Sequence, residues 1–194
     1  MNILLTGHTR WIWKYLFDRL KHQYNIVGLS RQNGFDLTKK STFDKILSFV
    51  WAKKFDGIIL NAWVGYFWKF ESIELEKYEE IINLNLLANI RILKVLQFNI
   101  YPKTKIIFIG SIIGKKFLKY GAVYQASKFG LRWLAWWLKA EWKKVFIVNP
   151  KIVDTDFHWD LQINPNWAKT SLDDIWNTIE NILLWKEKRF EIDL

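Results

Sequence analysis

The chain has 194 residues, enough for one domain with its own hydrophobic core. About half of its residues are apolar (51%) and its mean hydropathy is near zero, which excludes a disordered or a membrane-spanning chain. It has no cysteine, which excludes disulfides and thiolate metal sites and favours a cytoplasmic protein, and its three histidines show no metal-ligand spacing. The net charge of +10 comes from lysines spread along the chain. We interpret it as surface charge, with attraction to a phosphate-bearing ligand or to nucleic acid left open.

Apolar runs and apolar periodicity predict strands that alternate with helices along the whole chain. This alternation predicts one α/β domain over residues 1–194, a doubly wound parallel sheet of the Rossmann type with helices on both faces. The predicted strands are 1–5, 25–29, a third that ends at 34–37, 57–60, 106–109, 145–148 and a closing strand 190–193. The predicted helices are 11–21, 41–50 with Asp44 in a capping arrangement, 79–98, 122–141 and 171–184.

Three residues in the second half of the chain have the side chains that proton transfer to a carbonyl oxygen needs. Ser111 follows the strand 106–109, and Tyr124 and Lys128 lie four residues apart, on one face of a predicted helix. A phenol can act as the acid, an ammonium lowers its pKa by favouring phenolate, and a hydroxyl holds the substrate oxygen. An isolated tyrosine–lysine pair of this spacing is more often an ordinary surface pair. Whether this pair is catalytic therefore depends on the other motifs of the chain.

Several motifs, in order, resemble the short-chain dehydrogenase/reductase family over essentially the whole chain. Residues 6–13 resemble its T-G-x-x-x-G-x-G turn, 36–37 its acidic adenine-binding position, 61–63 its N-A-G segment and 150–155 its P-G-x-x-x-T segment. The residues that match the catalytic tetrad are Asn85, Ser111, Tyr124 and Lys128. The residues that the resemblance assigns to coenzyme binding are Thr6, Gly7, Thr9, Arg10, Trp11, Ile12, Trp13, Arg31, Asp36, Leu37, Asn61, Ala62, Trp63, Tyr124, Lys128, Pro150 and Thr155.

The resemblance implies an NAD(P)(H)-dependent oxidoreductase that transfers a hydride between the nicotinamide and a carbonyl or secondary alcohol. Tyr124 would exchange the proton, Lys128 would lower the pKa of Tyr124 and hold the nicotinamide ribose, Ser111 would position the substrate, and Asn85 would support a water-linked relay. The implied partners are a small-molecule substrate and a second copy of the chain, in a homodimer or homotetramer. A metal, a membrane and nucleic acid are not expected.

Two arginines bear on which coenzyme is used. Arg10 lies in the predicted phosphate turn, and Arg31 follows the second strand, where an NAD-preferring site would carry an acid. Ser30 and Arg31 offer instead a hydroxyl and a guanidinium for a 2′-phosphate. NADP(H) is therefore favoured over NAD(H), and the alternative is that either arginine is only a surface cation.

The chain departs from the family where tryptophan stands in place of glycine. It has 13 tryptophans and 9 glycines, whereas average usage gives about 14 glycines in this length. Trp11, Trp13 and Trp63 occupy motif positions where glycine allows close backbone approach. Further tryptophans follow predicted helices, where a C′ glycine is common, namely Trp51, Trp142 and Trp185.

We hypothesise that many of these tryptophans stand for glycine in the native protein. A stop codon that the source organism reads as glycine, translated here as tryptophan, would produce this pattern. The alternative is a divergent, aromatic-rich protein whose phosphate turn is blocked by tryptophan. Such a protein would be a non-catalytic nucleotide- or nucleic-acid-binding regulator on the same fold.

Overall fold

The computed structural model describes residues 1–9, 12–117, 119–141, 144–153 and 169–194, with the backbone alone at residues 12 and 13. Six strands form one sheet in the order β2-β1-β3-β4-β5-β6, and every neighbouring pair is parallel. The predicted doubly wound sheet is therefore confirmed. The strands are β1 (Asn2–Thr6), β2 (Asn25–Leu29), β3 (Gly57–Leu60), β4 (Lys105–Ile109), β5 (Val145–Asn149) and β6 (Glu191–Asp193).

Helices connect these strands and cover both faces of the sheet. The segment predicted as one helix over 79–98 begins earlier and ends earlier, and it contains a π-helical turn, Asn83–Leu87, between α3 and α4. The helix predicted over 122–141 is confirmed at both ends. The helices are α1 (Ile12–Leu20), α2 (Thr42–Val50), α3 (Leu75–Ile82), α4 (Ala88–Val95), α5 (Ala122–Glu141) and α6 (Leu172–Leu183).

The central strands β1, β3, β4 and β5 are mainly apolar because both faces of the sheet are buried there. In β1, Ile3 and Leu5 pack with the residues of α1 and α6, whereas Leu4 packs on the opposite face with residues of α2, α4 and α5. This alternation follows from the two-residue period of a strand. Since all six strands run in the same direction, their carboxyl ends share one edge, and the residues that follow them meet there.

The strand predicted to end at residues 34–37 is wrong. Ser30 and Asn33 instead close a 3-10 turn, in which the Asn33 amide donates to the Gly28 carbonyl (2.6 Å) and accepts from the Ser30 N–H (2.8 Å). Gly34 ends this turn in the left-handed region, at a φ of 84°. Asp36 and Leu37 therefore follow a turn, and the Leu37 side chain is buried in the core.

The capping arrangement predicted at the start of α2 is also wrong. Ser41 has helical dihedral angles (φ −62°, ψ −20°), and its side chain makes no capping bond within the described structure. An N-cap residue needs an extended backbone to aim its side chain at the free N–H groups. Ser171 has that backbone, and it forms the reciprocal capping box with Asp174 at the start of α6.

The tryptophans that follow helices differ in backbone conformation. The backbone of Trp51 is in the right-handed region (φ −43°, ψ −51°), which any residue can adopt. Its conformation therefore gives no reason to expect glycine there. Trp185 lies in the left-handed region, at a φ of 63°, where a bulky residue is a clear outlier. Trp142 lies outside the described residues. Trp176 is buried in the core between α6 and the sheet, so the tryptophans are not equivalent.

Candidate active site

The carboxyl ends of β1 and β3 are joined by side-chain hydrogen bonds. The Thr6 hydroxyl accepts the N–H groups of Asn61 (2.8 Å) and Ala62 (3.0 Å), and the Asn61 amide donates to the Thr6 carbonyl (3.0 Å). Gly7 follows at a φ of 73°, and a Cβ atom there would lie 2.8 Å from the Ala62 Cα. The close approach of these two segments therefore requires glycine at position 7.

A cavity of about 200 Å³ opens at this edge of the sheet. It extends from the turn after β2 across Gly7 to the segment after β3. Seven of the residues assigned to coenzyme binding line it: Gly7, Thr9, Arg31, Leu37, Asn61, Ala62 and Trp63. Pro150 lies at the end of β5, where its carbonyl accepts the Ile112 N–H (3.1 Å) beside Ser111. Arg10, Trp11, Thr155 and the side chains of Ile12 and Trp13 lie outside the described residues.

Arg31 borders the cavity and is held by carboxylates. Its guanidinium donates to Glu80 (2.6 Å) and lies 3.6 Å from Asp36. The Tyr66 hydroxyl donates to the other oxygen of Glu80 (2.7 Å). Burial raises the pKa of Glu80, but the hydrogen bonds from Tyr66 and Arg31 outweigh it and lower that pKa. Glu80 and Tyr66 belong to no motif, so nothing in the sequence pointed to them.

The three residues expected to transfer the proton come together beside the cavity, where the Trp63 ring contacts two of them. Ser111 follows β4, and its hydroxyl is hydrogen-bonded to Tyr124, which projects from the first turn of α5. Tyr124 and Lys128 are both buried, with 5% and 2% of their surface exposed. The Lys128 ammonium donates to the carbonyl of Ile109 at the end of β4 (3.2 Å). The site is therefore assembled from a strand end and one face of a helix, as predicted.

Burial controls the protonation of this pair. Burial raises the pKa of Tyr124 above its usual value, and the hydrogen bond with Ser111 offsets part of that rise. Burial lowers the pKa of Lys128 to about 7. The expected lowering of the Tyr124 pKa by Lys128 stays a prediction. The ammonium is directed at the Ile109 carbonyl, and at pH 7 it carries only part of its charge.

Asn85 lies within the π-helical turn and joins three segments. Its amide accepts the Val64 N–H (2.8 Å), donates to the Val64 carbonyl (2.9 Å) and donates to the Ser127 hydroxyl (3.0 Å). The Ser127 hydroxyl donates in turn to the Tyr124 carbonyl (2.6 Å). The side chain of Asn85 thus fixes the segment after β3 to the helix of Tyr124. Ser127 was missed because its contact is visible only in three dimensions.

Two aromatic rings cover the tyrosine–lysine pair. The Trp63 ring lies 5.9 Å from the Tyr124 ring, and the Lys128 ammonium lies 5.3 Å from the centre of the indole. The Phe67 ring contacts Tyr124 edge-on at 4.9 Å. Trp63 also lines the cavity. Trp63 therefore borders both the cavity and the pair that would transfer the proton.

The coenzyme implied by the family fits one end of the cavity and not the other. At the first end Gly7 permits close backbone approach, Arg31 supplies a cation, and the buried Asn61 Oδ1 has no hydrogen-bond partner among the described atoms. At the other end the indole of Trp63 lies against Lys128, the residue expected to hold the nicotinamide ribose. The adenosine half fits these residues, and the nicotinamide half does not fit beside the indole.

In the part of the chain that the structure describes, no cluster of three or more histidine, aspartate or glutamate side chains could hold a metal ion. None of the described helices is long and apolar enough to span a bilayer.

The chain is similar to proteins of known family. A family model described as short chain dehydrogenase matches residues 27–166, well over half of the chain. No curated protein sequence matches the chain.

Solved structures give the same fold over the full length. A short chain dehydrogenase family protein from Francisella tularensis superposes with a TM-score of 0.86 at 22% identity, covering 100% of this chain and 96% of that one. An alcohol dehydrogenase from the archaeon Thermococcus sibiricus, complexed with 5-hydroxy-NADP, gives 0.78 at 21% identity, with 100% and 95% covered. A 4-hydroxyisoleucine dehydrogenase complexed with NADH gives 0.83 at 19% identity, with 99% and 96% covered.

Proposed function

Because the chain belongs to the short-chain dehydrogenase family and is thus an NAD(P)-dependent oxidoreductase, we propose that it uses NADP(H) and that Tyr124 exchanges the proton with its substrate. The substrate would be a small molecule with a carbonyl or secondary alcohol group, and the coenzyme, where position 63 leaves room for its nicotinamide half, would supply or take up the hydride. The observation that supports this proposal best is that Ser111, at the end of β4, lies together with the buried side chains of Tyr124 and Lys128. A non-catalytic regulatory protein on the same fold is not favoured.

Each residue of the site has a role that its surroundings support. Burial raises the pKa of Tyr124, so its phenol stays protonated and can donate to a carbonyl oxygen during reduction. The Ser111 hydroxyl, hydrogen-bonded to the same phenol, holds that oxygen in place. The Lys128 ammonium lies 5.7 Å from the centre of the Tyr124 ring, and contact with the nicotinamide ribose stays a prediction for it. Asn85 positions the segment after β3, and the water-linked relay stays a prediction for it.

The choice of NADP(H) rests on Arg31. Its guanidinium borders the cavity beside Ser30, where a 2′-phosphate would lie, and a guanidinium binds a phosphate through two parallel hydrogen bonds. The carboxylates of Glu80 and Asp36 now share that cation, so a phosphate has to compete with them. Among the similar solved structures, proteins complexed with NADP and with NADH both occur.

We further propose that the chain associates with a second copy of itself through α5. Phe129, Trp133 and Trp137 follow one another at four-residue intervals and are exposed, Trp133 by 72% and Trp137 by 68%. This spacing places them on one stripe of the helix. An exposed apolar stripe of this kind marks a binding surface in soluble proteins. A cytoplasmic location stays a prediction from the absence of cysteine.

The test of the proposed function is NADPH oxidation with a panel of aldehydes and ketones. Since the indole covers the site, the assay is run on the chain itself and on Trp63→Gly. We expect Tyr124→Phe to lower turnover by about 10²- to 10⁴-fold, the usual contribution of a general acid. Tyr78→Phe is the matched control, because Tyr78 lies on α3 outside the proposed site and its hydroxyl donates to the Phe70 carbonyl (2.9 Å). Equal turnover in both phenylalanine variants would contradict the role of Tyr124.

A further inference from the structure

We propose that the indole of Trp63 excludes the nicotinamide half of the coenzyme, and that the working enzyme carries glycine at position 63. The proposal rests on the proposed function, because it concerns the same site. It makes position 63 the residue that decides whether the cavity and the proton-transfer pair form one continuous site.

The position of the ring is the first argument. Trp63 lines the cavity together with Asn61 and Ala62. Its ring also contacts the ring of Tyr124 and the ammonium of Lys128. A ligand seated in the cavity therefore meets the indole before it reaches the Tyr124 hydroxyl. A residue without a side chain at position 63 would connect the two spaces.

The backbone around Trp63 is the second argument, because it prevents the indole from moving aside. On one side the Ala62 N–H donates to the Thr6 hydroxyl (3.0 Å). On the other side both polar backbone groups of Val64 are bonded to the Asn85 amide (2.8 and 2.9 Å). Residue 63 is thus held between two fixed neighbours. The indole can leave the site only by a rotation of its own side chain against Tyr124 and Lys128.

An independent observation explains why glycine is the residue to expect. Trp185, at the end of α6, has a φ of 63°, a conformation that glycine adopts without strain and tryptophan does not. Positions 63 and 185 belong to different elements and have different reasons to be glycine, one steric and one conformational. Tryptophan suits neither position. One codon, read as glycine by the source organism and written here as tryptophan, accounts for both positions.

Glycine at positions 63 and 185 does not imply glycine at every tryptophan position. Trp176 fills part of the core, with 5% of its surface exposed, and its ring also contacts Arg19. A glycine there would leave a cavity. An organism that reads a stop codon as glycine retains the ordinary tryptophan codon, so both residue types occur in one chain.

The first experiment measures binding by calorimetry with two probes, NADPH and adenosine 2′,5′-bisphosphate. The second probe fills only the adenosine half, so we expect it to bind the chain and Trp63→Gly with equal affinity. We expect NADPH to bind Trp63→Gly about 10- to 100-fold more tightly than the chain with tryptophan, the usual effect of relieving one overpacked site. Trp68→Gly is the matched control: it removes an exposed tryptophan that stacks on Tyr120, five residues along the same segment. It should leave NADPH affinity unchanged.

A second readout follows the ammonium of Lys128 by NMR. Removal of the indole admits water, so the pKa of Lys128 should rise from about 7 towards its usual value in Trp63→Gly and not in Trp68→Gly. Trp63→Ala serves as a second small variant, in case glycine destabilises the segment. Equal NADPH affinity for tryptophan and for both small residues would overturn the proposal.

The codon part of the proposal has its own test. Trypsin cleavage after Lys54 and Lys69 gives one peptide, 55–69, that contains both position 63 and position 68. Mass spectrometry of this peptide from the source organism should show glycine at position 63, and tryptophan there would refute this part. If Trp63→Gly binds NADPH tightly but its Tyr124→Phe derivative turns over equally well, the binding inference stands and the proposed function fails.

Discussion

The charge of Lys128 depends on how completely its ammonium is buried. Its ammonium lies beneath the Trp63 ring and donates one hydrogen bond, to the Ile109 carbonyl (3.2 Å), with 2% of the residue exposed. The ring favours the charged form, but loss of water costs more, and burial lowers the pKa to about 7. The residue that should hold the coenzyme is therefore only partly charged at neutral pH.

This burial predicts how stability changes with pH. The pKa of Lys128 is about 7 in the folded chain and 10.5 when unfolded, so between these values the unfolded chain binds more protons. Raising the pH above 7 should therefore stabilise the chain relative to Lys128→Met, by up to about 1.4 kcal/mol per pH unit. Below pH 7 the difference should be constant. Urea unfolding of both proteins at pH 6, 7, 8 and 9 measures this, and parallel curves at every pH would contradict it.

Trp185 and Trp51 predict opposite responses to the same pair of substitutions. At position 185 the φ of 63° favours glycine over alanine, so Trp185→Gly should be more stable than Trp185→Ala by about 1 kcal/mol. Both variants lose the same indole contacts with Phe146 and Lys144, so the difference isolates the backbone. At position 51 the backbone is right-handed, so Trp51→Ala should be more stable than Trp51→Gly by about 0.5–1 kcal/mol. Free energies of unfolding of the four variants check the change of sign, and the same order at both positions would refute it.

At the scale of elements, the short edge strand β6 is held by a charged cluster. The Glu191 carboxylate accepts from Arg132 on α5 (2.7 Å), from Lys115 (2.9 Å) and from the amide of Asn149 on β5 (3.0 Å). Burial raises the pKa of Glu191, but these contacts outweigh it and lower that pKa to about 2. One side chain therefore fastens the last strand to three other segments.

Glu191→Gln should destabilise the chain by about 2–3 kcal/mol at pH 7, because the charge-assisted bonds are lost. The folded-state pKa lies below the unfolded value of 4.5, so this contribution is complete above pH 4.5 and disappears as the pH falls towards 2. Thermal or urea unfolding at pH 7 and pH 3 measures the loss. Glu187→Gln is the control: its carboxylate pairs with the exposed Arg189 and accepts the N–H groups of Lys188 and Arg189, bonds within two residues that fasten no separate element. A larger loss from Glu187→Gln would contradict the role of the cluster.

The elements also show what the sequence could and could not predict. Helix α5 and the strand ends followed from apolar patterning, because packing against the sheet enforces those periods. The turn at residues 30–34 did not, because side-chain bonds between Ser30 and Asn33 override the short apolar run that follows. The π-helical turn at Asn85 leaves the apolar pattern unchanged and was invisible. Motifs located the reactive side chains, whereas the contact of Trp63 with Lys128 depends on how separate elements pack.

At the scale of the whole molecule, the exposed stripe on α5 predicts self-association. We expect the chain to be dimeric at micromolar concentration, and Trp133→Lys/Trp137→Lys to be monomeric, because two charges would have to be buried in the interface. Trp51→Lys/Trp68→Lys is the control, since these two tryptophans are comparably exposed (75% and 60%) but are not part of the stripe on α5. Light scattering after gel filtration gives the masses. A dimer that survives the α5 substitutions would place the interface elsewhere.

The order of the strands in the sheet has a consequence for how the protein is made. Strand β1 leaves the ribosome first, but its two neighbours are β2 and β3, so its pairing is complete only once residue 60 has emerged. By then the nascent chain contains Gly7, Arg31 and, directly after, Asn61, the residues suited to the adenosine half. The residues for proton transfer follow β4 and lie on α5, and they arrive some fifty residues later, at about 111–128. The residues suited to the adenosine half are thus synthesised before the residues for proton transfer, and position 63 lies between the two sets in the sequence.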